Sequence, residues 1–235
     1  MAPTQDRLSE WFVPQFGPVK FRIAIGLLFL PYTGMVLSYT VIGSMLAPVI
    51  YWDRVIAILA IYFLGLGIAA HALDAIGGDS GVKPWGDYFS KKSLWGIAGI
   101  SLIVSYGIGI YYIVTAAPWL LIIALLEGFF LFAYNLEWFG GRFHTDASFA
   151  FSWGVLPVLA GYILQTNSLT IYAGIISCAM GLISLAEINA SRPYKALKKS
   201  GEASPHQCRY EMILKSLSLS VMLLAVGMIL WRQSQ

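Results

Sequence analysis

The sequence predicts an all-α integral membrane protein, a bundle of about seven transmembrane helices. Its composition, its apolar runs and the placement of its basic residues support this fold class. Of the 235 residues, 58% are hydrophobic and 11% are charged, and this charged share is roughly half that of a typical soluble domain. A soluble fold of this size would lack the polar side chains to cover its surface, whereas a lipid environment removes that need.

Seven apolar runs are long enough to cross a bilayer, since a span needs about 20 mostly apolar residues. The runs are residues 23–46, 55–76, 94–115, 118–139, 147–165, 169–188 and 211–231. Pro31 and Pro157 lie inside two of them and are expected to kink the helices there. The chain therefore divides into a cytoplasmic or interfacial N-terminal segment (1–22), a single transmembrane domain (23–231) and a short tail (232–235).

The basic residues are distributed unevenly between the two sides of the predicted bundle. Long polar loops follow the second and sixth runs, at residues 77–93 and 189–210. Of the 15 basic residues, all but Arg54 and Arg232 lie on the side of the N-terminus and these loops. This positive-inside bias predicts a cytoplasmic N-terminus and cytoplasmic long loops in an inner or plasma-type membrane. The net charge of +3 then reflects topology and anionic headgroups, and it does not indicate a nucleic-acid partner.

The end of the second run carries the first candidate site, in the string AHALDAIGGDSGVKPWGDY. Asp74, Asp79 and Lys83 surround a predicted turn at Gly77–Gly78, where glycine allows the backbone to bend sharply. His71 lies three residues before Asp74 and shares its helix face. Carboxylates beside a cation suit Mg²⁺ that bridges to a phosphate. The alternative is a solvated loop after a helix-ending glycine pair, because no spacing here is a specific metal motif.

A second candidate lies at the end of the sixth run, in SLAEINASRPYKALKKSG. Glu187 is at the membrane edge and is followed by Arg192 and Lys195. A carboxylate at the end of a span is costly unless it is paired, hydrated or functional. The alternative is a structural salt bridge from Glu187 to Arg192 near the headgroups, with the basic run serving only to orient the chain.

The junction of the fourth and fifth runs carries a third polar patch between two apolar segments. Its members are Tyr134, Asn135, Glu137, Arg142, His144 and Asp146. Glu127 lies about two helical turns deeper in the fourth run. An intramembrane carboxylate indicates a functional site by default. The alternative is a protonated glutamate that hydrogen-bonds to a neighbouring helix.

The order of these three segments resembles the UbiA superfamily of intramembrane prenyltransferases, and the resemblance covers the first six runs. In that family, Asp-rich motifs end the second and sixth spans, and a Tyr-containing segment leads from the fourth span into a Gly-rich fifth. Asp74 matches the second acidic position of the first motif, and Tyr134 matches the tyrosine. Lys83 and Pro84 stand where the family has Arg-Pro.

Several positions differ from the family pattern. Ala70 and His71 occupy positions that are Asn and Asp in the first motif, and Asp79 matches its final Asp only with a shifted spacing. The second motif is reduced to Glu187-Ile-Asn189, without aspartate. The usual nine spans are reduced to seven predicted runs.

The resemblance implies an enzyme that moves a prenyl group from a prenyl diphosphate to a lipophilic acceptor within the membrane. It implies Mg²⁺ as cofactor and catalytic residues Asp74, Asp79, Tyr134 and Glu187, of which the three carboxylates would hold the metal. Lys83, Arg192 and Lys195 would bind the diphosphate oxygens, because negative charge develops on the leaving group. The ring of Tyr134 would face the allylic cation.

The alternative is a non-catalytic descendant of the same fold. Such a protein would bind a lipid or quinone, or would assist the assembly of a larger membrane complex. The altered motifs and the smaller number of runs favour it, whereas the retained carboxylate-and-lysine loop favours the enzyme. A transporter is disfavoured, because the sequence has no pair of discontinuous spans in corresponding positions.

Topology gives the first testable prediction. A cysteine introduced at Gly81, in a chain whose Cys178 and Cys208 are replaced by serine, should be labelled by an impermeant thiol reagent only from the cytoplasmic side of oriented vesicles. The reason is the excess of basic residues on the side of residues 77–93. Labelling of this cysteine only from the outer side would contradict the predicted orientation.

Overall fold

The computed structural model describes residues 7–77, 88–200 and 204–235, and every regular element within these ranges is helical. A short 3-10 turn, Arg7–Ser9, precedes the helices. Eight longer helices follow in the described part of the chain: α1 (Val19–Leu27), α2 (Leu30–Met45), α3 (Trp52–Asp74), α4 (Lys91–Thr115), α5 (Leu120–Asn135), α6 (Asp146–Thr166), α7 (Ile171–Ser200) and α8 (Pro205–Gln233). π-Helical turns occur within α3 at Phe63–Ala70 and within α6 at Phe151–Val155.

Five of these helices, namely α3, α4, α6, α7 and α8, are long and apolar enough to cross a membrane. Helices α1 and α2 make a sixth if they are taken as one span bent by 43°. Helix α5 corresponds to the predicted run 118–139 but has only 16 residues, or about 24 Å of length against a hydrocarbon core of about 30 Å. The described part of the chain is therefore all-helical with five or six candidate spans, and the count of seven stays a prediction.

The first predicted span is broken at Phe29, two residues before the proline expected to kink it. Phe29 has a left-handed backbone, with φ 44° and ψ 56°, a conformation that non-glycine residues rarely adopt. Pro31 lies in the first turn of α2, where its missing N–H is not needed. The Thr33 hydroxyl donates to the Leu28 carbonyl at 2.6 Å and so satisfies a backbone group at the break.

The long loop predicted at residues 189–210 is wrong over most of its length. Helix α7 continues through Pro193 to Ser200, and α8 already begins at Pro205. Arg192 and Lys195 therefore lie on a helix and not in a loop. Lys195 lies two turns beyond Glu187 and extends the surface that carries it, whereas Arg192, five residues after Glu187, faces a different neighbour. The other predicted long loop, residues 77–93, lies mostly outside the described residues.

Helix α2 is the centre of the bundle, with 13 of its 16 residues buried. It contacts α3, α6, α7 and α8. Its contact with α6 is a backbone-to-backbone approach: a Cβ at Gly43 would overlap the Val158 carbonyl, and one at Gly161 would overlap the Thr40 carbonyl. Small residues at such crossings let membrane helices gain dispersion contacts that lipid alone would not drive.

The two basic residues that depart from the positive-inside bias both bind the carbonyl ends of helices. The Arg54 guanidinium donates to the carbonyls of Leu164 and Gln165, at 3.1 and 3.2 Å. Arg232 donates to the Met45 carbonyl at 2.9 Å and also to that of Ala47. Cations are favourable at helix C-termini, where carbonyls lack intrahelical partners. A structural role thus explains these two exceptions.

The contacts of Arg54 and Arg232 define one end of the bundle, named the Arg54 end. The backbone N–H of Trp119 joins this end by donating to the Asn167 side-chain oxygen at 3.1 Å. Helix α5 starts beside Trp119 and runs to Asn135, which lies against Gly77, three residues beyond the end of α3. Helix α5 therefore runs between the two ends of the bundle despite its short length.

The glycine contact between α2 and α6 gives a second prediction. Gly43→Ala should destabilise the protein by about 1–3 kcal/mol, because the added methyl group meets backbone that cannot move aside without separating the helices. Gly107→Ala on α4 is the matched control, since a Cβ there meets nothing within 4 Å. Denaturant or thermal unfolding in detergent micelles measures both. An equal loss of stability in Gly43→Ala and Gly107→Ala would contradict the close contact between α2 and α6 as the cause.

Candidate functional site

The end of the bundle opposite the Arg54 end brings together residues from all three candidate segments. It is named the Asp74 end and comprises Asp74 of α3, Tyr134 of α5, and Arg192 of α7 with their neighbours. Both Asp74 and Arg192 lie close enough to the Tyr134 hydroxyl to interact with it electrostatically. Asp79 and Lys83, the other predicted members of the first segment, lie outside the described residues.

A close backbone contact positions Asp74 beside Tyr134. Gly77 lies so near the Asn135 carbonyl that a Cβ would overlap it. Gly77 does not have a positive φ. A larger residue is therefore excluded at this position by the nearby Asn135 carbonyl, and not by the sharp turn that the sequence predicted. The end of α3 is thereby fixed against the end of α5.

Arg192 pairs with Asp146 and not with Glu187, so the predicted structural salt bridge is wrong in its partner. The Arg192 guanidinium lies 2.7 Å from Asp146 Oδ1, and both side chains are partly exposed. Asp146 is the first residue of α6, where a carboxylate is favoured by the helix dipole. Thr145 caps the same helix, because its hydroxyl accepts the Ser148 N–H at 3.1 Å. Helices α6 and α7 are thus joined at this end by an ion pair.

Glu187 belongs to a buried line of polar side chains between α2 and α7, named the α2–α7 seam. The Ser184 hydroxyl donates to Tyr39 at 3.2 Å, and the Tyr32 hydroxyl donates to Ser191 two turns along. Glu187 lies between these two hydrogen bonds with an exposed fraction of 3%. Its carboxylate interacts electrostatically with Lys195, two turns further along α7. A buried carboxylate of this kind is costly without a compensating partner.

Five aromatic side chains from α2, α3, α6 and the α1–α2 break form a closed ring at the Asp74 end, named the aromatic ring. Its successive centroid distances are 5.1 Å from Phe29 to His71, 5.4 Å to Trp153, 5.4 Å to Phe149, 6.5 Å to Tyr32 and 5.7 Å back to Phe29. The separations lie in or near the range of stabilising aromatic pairs. The ring provides an apolar surface with several π-faces beneath the charged groups.

Lys195 places a cation over this aromatic ring. Its ammonium nitrogen lies 5.3 Å from the centroid of Phe29 and 5.5 Å from that of Tyr32. Such distances are within the range of attraction between a cation and a π-face. The site therefore combines a positive charge, a nearby buried carboxylate at Glu187 and an aromatic wall.

His71 and Asp74 face different neighbours although they are three residues apart. His71 contacts the hydroxyl of Thr33 at 3.5 Å and packs between Phe29 and Trp153. Asp74 faces Tyr134, and these two residues of α3 form no ion pair with each other. On the far side of Tyr134, His144 stacks at 4.4 Å and bonds to the Tyr134 carbonyl at 3.0 Å. Asp74 and the tyrosine therefore stand together at the rim of the aromatic ring.

The carboxylate chemistry at this end suits Mg²⁺, but the described side chains do not by themselves complete a metal site. Asp74 supplies an oxygen ligand of the kind that Mg²⁺ prefers. Within residues 7–77, 88–200 and 204–235, however, no three His, Cys, Asp or Glu side chains are grouped closely enough to hold an ion. Asp74, Glu187 and His71 thus do not form one cluster, and Asp79 falls outside these ranges.

The N-terminal segment packs on the bundle near this site, a contact that the sequence did not predict. Glu10 is buried and accepts hydrogen bonds from Tyr194 at 3.1 Å and from Lys198 at 3.0 Å. Lys198 also donates to the Ser9 carbonyl at 3.1 Å. The segment is therefore held against α7 by a largely buried ion pair.

Sequence reasoning missed most of the aromatic ring and the seam, although one signal was present. Tyr32 and Tyr39 are seven residues apart, and so are Ser184 and Ser191. Matching intervals of two helical turns are typical of two facing helices that hydrogen-bond at successive levels. No comparable pattern identifies Phe29, whose position depends on the break before α2.

Comparison with known proteins did not identify a relative. The chain matches no protein-family model, no curated protein and no solved structure. The resemblance to the UbiA superfamily therefore rests on the order of the three polar segments alone.

The seam gives a third prediction, which concerns stability. Ser191→Ala leaves the buried Tyr32 hydroxyl without its partner, and should cost about 1–3 kcal/mol. Tyr32→Phe should cost less, because the serine can bond to a carbonyl of its own helix. The double variant should be more stable than Ser191→Ala alone. Ser177→Ala is the control, since that hydroxyl donates only to Gly174 on the same helix.

Unfolding of these four variants in detergent micelles tests the seam. If the double variant loses the sum of the unfolding free energies lost by the two single variants, Tyr32 and Ser191 do not interact across the two helices.

Proposed function

We propose that the Asp74 end binds a prenyl diphosphate and transfers its prenyl group to a lipophilic acceptor, as the UbiA-like order of segments suggests. One observation carries the proposal. Asp74, Tyr134, Arg192 and Lys195 come from three segments far apart in the chain, and they meet at one end of the bundle around a buried aromatic surface.

The charged groups suit the leaving group of such a reaction. The bond from the allylic carbon to the diphosphate oxygen breaks with its electron pair remaining on oxygen, so negative charge builds there. Arg192 and Lys195 are exposed cations at the rim of the site, where they stabilise this charge. Mg²⁺ held by Asp74 and Asp79 would supply further neutralisation of the diphosphate. Glu187 lies beside Lys195 and holds its ammonium group in place electrostatically.

The aromatic ring suits the other product of bond cleavage, an allylic cation. The π-faces of Tyr32, Phe149 and Trp153, with Tyr134 at the rim, attract positive charge without reacting with it. The surrounding apolar helices exclude water, which would otherwise capture the cation. The acceptor then supplies the electron pair of the new bond and releases a proton.

The proposed setting is an inner or plasma-type membrane with the Asp74 end toward the cytoplasm. The proposal is supported by the positive-inside bias and by the binding of Arg54 and Arg232 to helix-end carbonyls at the opposite end. A water-soluble diphosphate head would then reach the site from the cytoplasm while its isoprenoid tail lies in the bundle.

A second proposal is favoured by the pairing of Arg192. This guanidinium already has a carboxylate partner in Asp146 at 2.7 Å, and the described residues group no three metal ligands. These observations favour a non-catalytic protein that binds a lipid or quinone, or that acts as a subunit or assembly partner of a membrane complex. The two proposals differ in whether the chain binds a prenyl diphosphate.

Binding of a prenyl diphosphate is the fourth prediction. The purified protein should bind farnesyl diphosphate in a Mg²⁺-dependent manner, and Asp74→Asn should lower transfer by about 10²-fold, because loss of one such electrostatic contact removes stabilisation of developing charge. Asp53→Asn is the matched control, since Asp53 lies at the other end of the same helix and contacts Tyr112.

Equilibrium binding with and without Mg²⁺, together with melting temperatures, separates the two proposals. Absence of binding by the parent protein would reject the enzyme and leave the non-catalytic subunit. A lower melting temperature of Asp74→Asn with unchanged binding would assign Asp74 a structural role.

A further inference from the structure

A cavity of about 70 Å³ lies between α3, α4 and α5, away from the Asp74 end. Its walls are apolar side chains such as Ile58, Leu102 and Ile123, and Ala160 of α6 closes one side. Glycines at positions 65, 109 and 128 leave room along the three helices. None of Asp74, Glu187, Arg192 or Lys195 lines it, so the cavity is separate from the site described above.

One polar group in this cavity is left without a hydrogen bond. Tyr62 of α3 donates to Glu127 Oε1 at 2.8 Å, as expected of a carboxyl group that pairs with a neighbouring helix. The second oxygen, Oε2, is fully shielded and has no hydrogen-bond partner among the described residues. An unpaired buried carboxyl oxygen is expensive in an apolar medium. A ligand that bonds to Oε2 would remove this cost, and its binding requires a small shift of the Glu127 side chain, because Oε2 is shielded in this structure.

The hydroxyl protons of the other polar groups of the cavity are already donated, and the remaining cavity surface is almost entirely apolar. The Ser105 hydroxyl donates to the Ile61 carbonyl at 3.0 Å, and the Tyr106 hydroxyl donates to the Ala124 carbonyl at 3.1 Å. A water molecule beside Glu127 would find about one partner, whereas buried waters typically make about three hydrogen bonds. The cavity thus suits an apolar molecule with a single polar group better than it suits water.

The side of the cavity toward the lipid lies between α4 and α5. Tyr106 crosses this gap to reach the Ala124 carbonyl, and the residue has an exposed fraction of 36%. Gly128 provides the space for the tyrosine, because a Cβ there would overlap its hydroxyl. A ligand can therefore place its polar end near Glu127 while its tail extends past Tyr106 into the lipid.

We propose that the cavity beside Glu127 binds the hydroxyl group of a lipophilic alcohol whose hydrocarbon tail lies between α4 and α5. A hydroxyl both donates and accepts, so it satisfies the carboxyl group whether that group is ionised or protonated. A carbonyl would satisfy only the protonated form, and an ammonium group only the ionised form. The site is independent of diphosphate binding at the Asp74 end.

Photolabelling tests this proposal in lipid nanodiscs that contain the full chain. The probe is a straight-chain primary alcohol with a diazirine on its tail, and the comparison probe is the matching alkane without the hydroxyl. The readout is labelling of residues 102–113 of α4, which form one wall and do not include Glu127. We expect the alcohol to label this wall about tenfold more than the alkane, the effect of one hydrogen bond.

Three variants separate ligand binding from a structural role. Gly109→Leu keeps the carboxyl group but fills the cavity, since a Cβ there has only an ordinary contact, 4.0 Å from Ile61. It should reduce alcohol labelling of the other wall residues to the alkane level. Glu127→Leu should do the same, whereas Glu127→Gln should retain labelling because an amide also donates and accepts.

Melting temperatures show which variants fold. If Glu127→Leu does not fold, Gly109→Leu decides the question on its own. Equal labelling by alcohol and alkane in the parent protein, or undiminished alcohol labelling in Gly109→Leu, would overturn the proposal and leave Glu127 as a structural partner of Tyr62.

Discussion

The close approach of α2 and α6 is the contact on which the rest of the bundle depends. In lipid there is little hydrophobic driving force for helices to associate. The stability of the bundle must therefore come from dispersion contacts and hydrogen bonds between the helices. Gly43 and Gly161 let the two backbones touch, and α2 then becomes surrounded, with 13 of 16 residues buried. Its fixed orientation turns Tyr32 and Tyr39 toward α7, where the seam forms.

Three of the five side chains in the aromatic ring lie at or next to backbone irregularities. Phe29 has a left-handed conformation, His71 directly follows the π-helical turn of α3, and Trp153 lies inside the π-helical turn of α6. A π-turn inserts residues into a helix and so rotates the side chains that follow, and such turns are frequent at functional sites. Strained backbone persists only where the surrounding packing over-determines it. Three separate departures from regular helix therefore converge on the aromatic ring.

Most buried polar side chains in the described part of the bundle are paired with another polar group. Tyr39 with Ser184 and Tyr32 with Ser191 each pair across two helices, as backbone and side-chain polar groups must in a medium without water. In Glu127, Oε1 accepts a hydrogen bond from Tyr62, whereas Oε2 has no hydrogen-bond partner among the described residues. The chain thus has two polar centres of different kinds: a charged one at the Asp74 end and the single carboxyl group of Glu127 within the apolar helices.

The sequence by itself predicted the all-helical class and the approximate position of most apolar helices, because apolar length is a local property. It did not predict the break at Phe29 in the first run or the continuation of the sixth run to Ser200. Only the tertiary structure decided which side chains meet: Arg192 with Asp146, Gly77 with the Asn135 backbone, and Glu127 with Tyr62. The physical reason is that partner choice between helices depends on their rotation and crossing, which small residues and backbone breaks set. A nearly continuous apolar sequence does not encode that rotation in its periodicity, because both the lipid-facing and the buried surfaces are apolar.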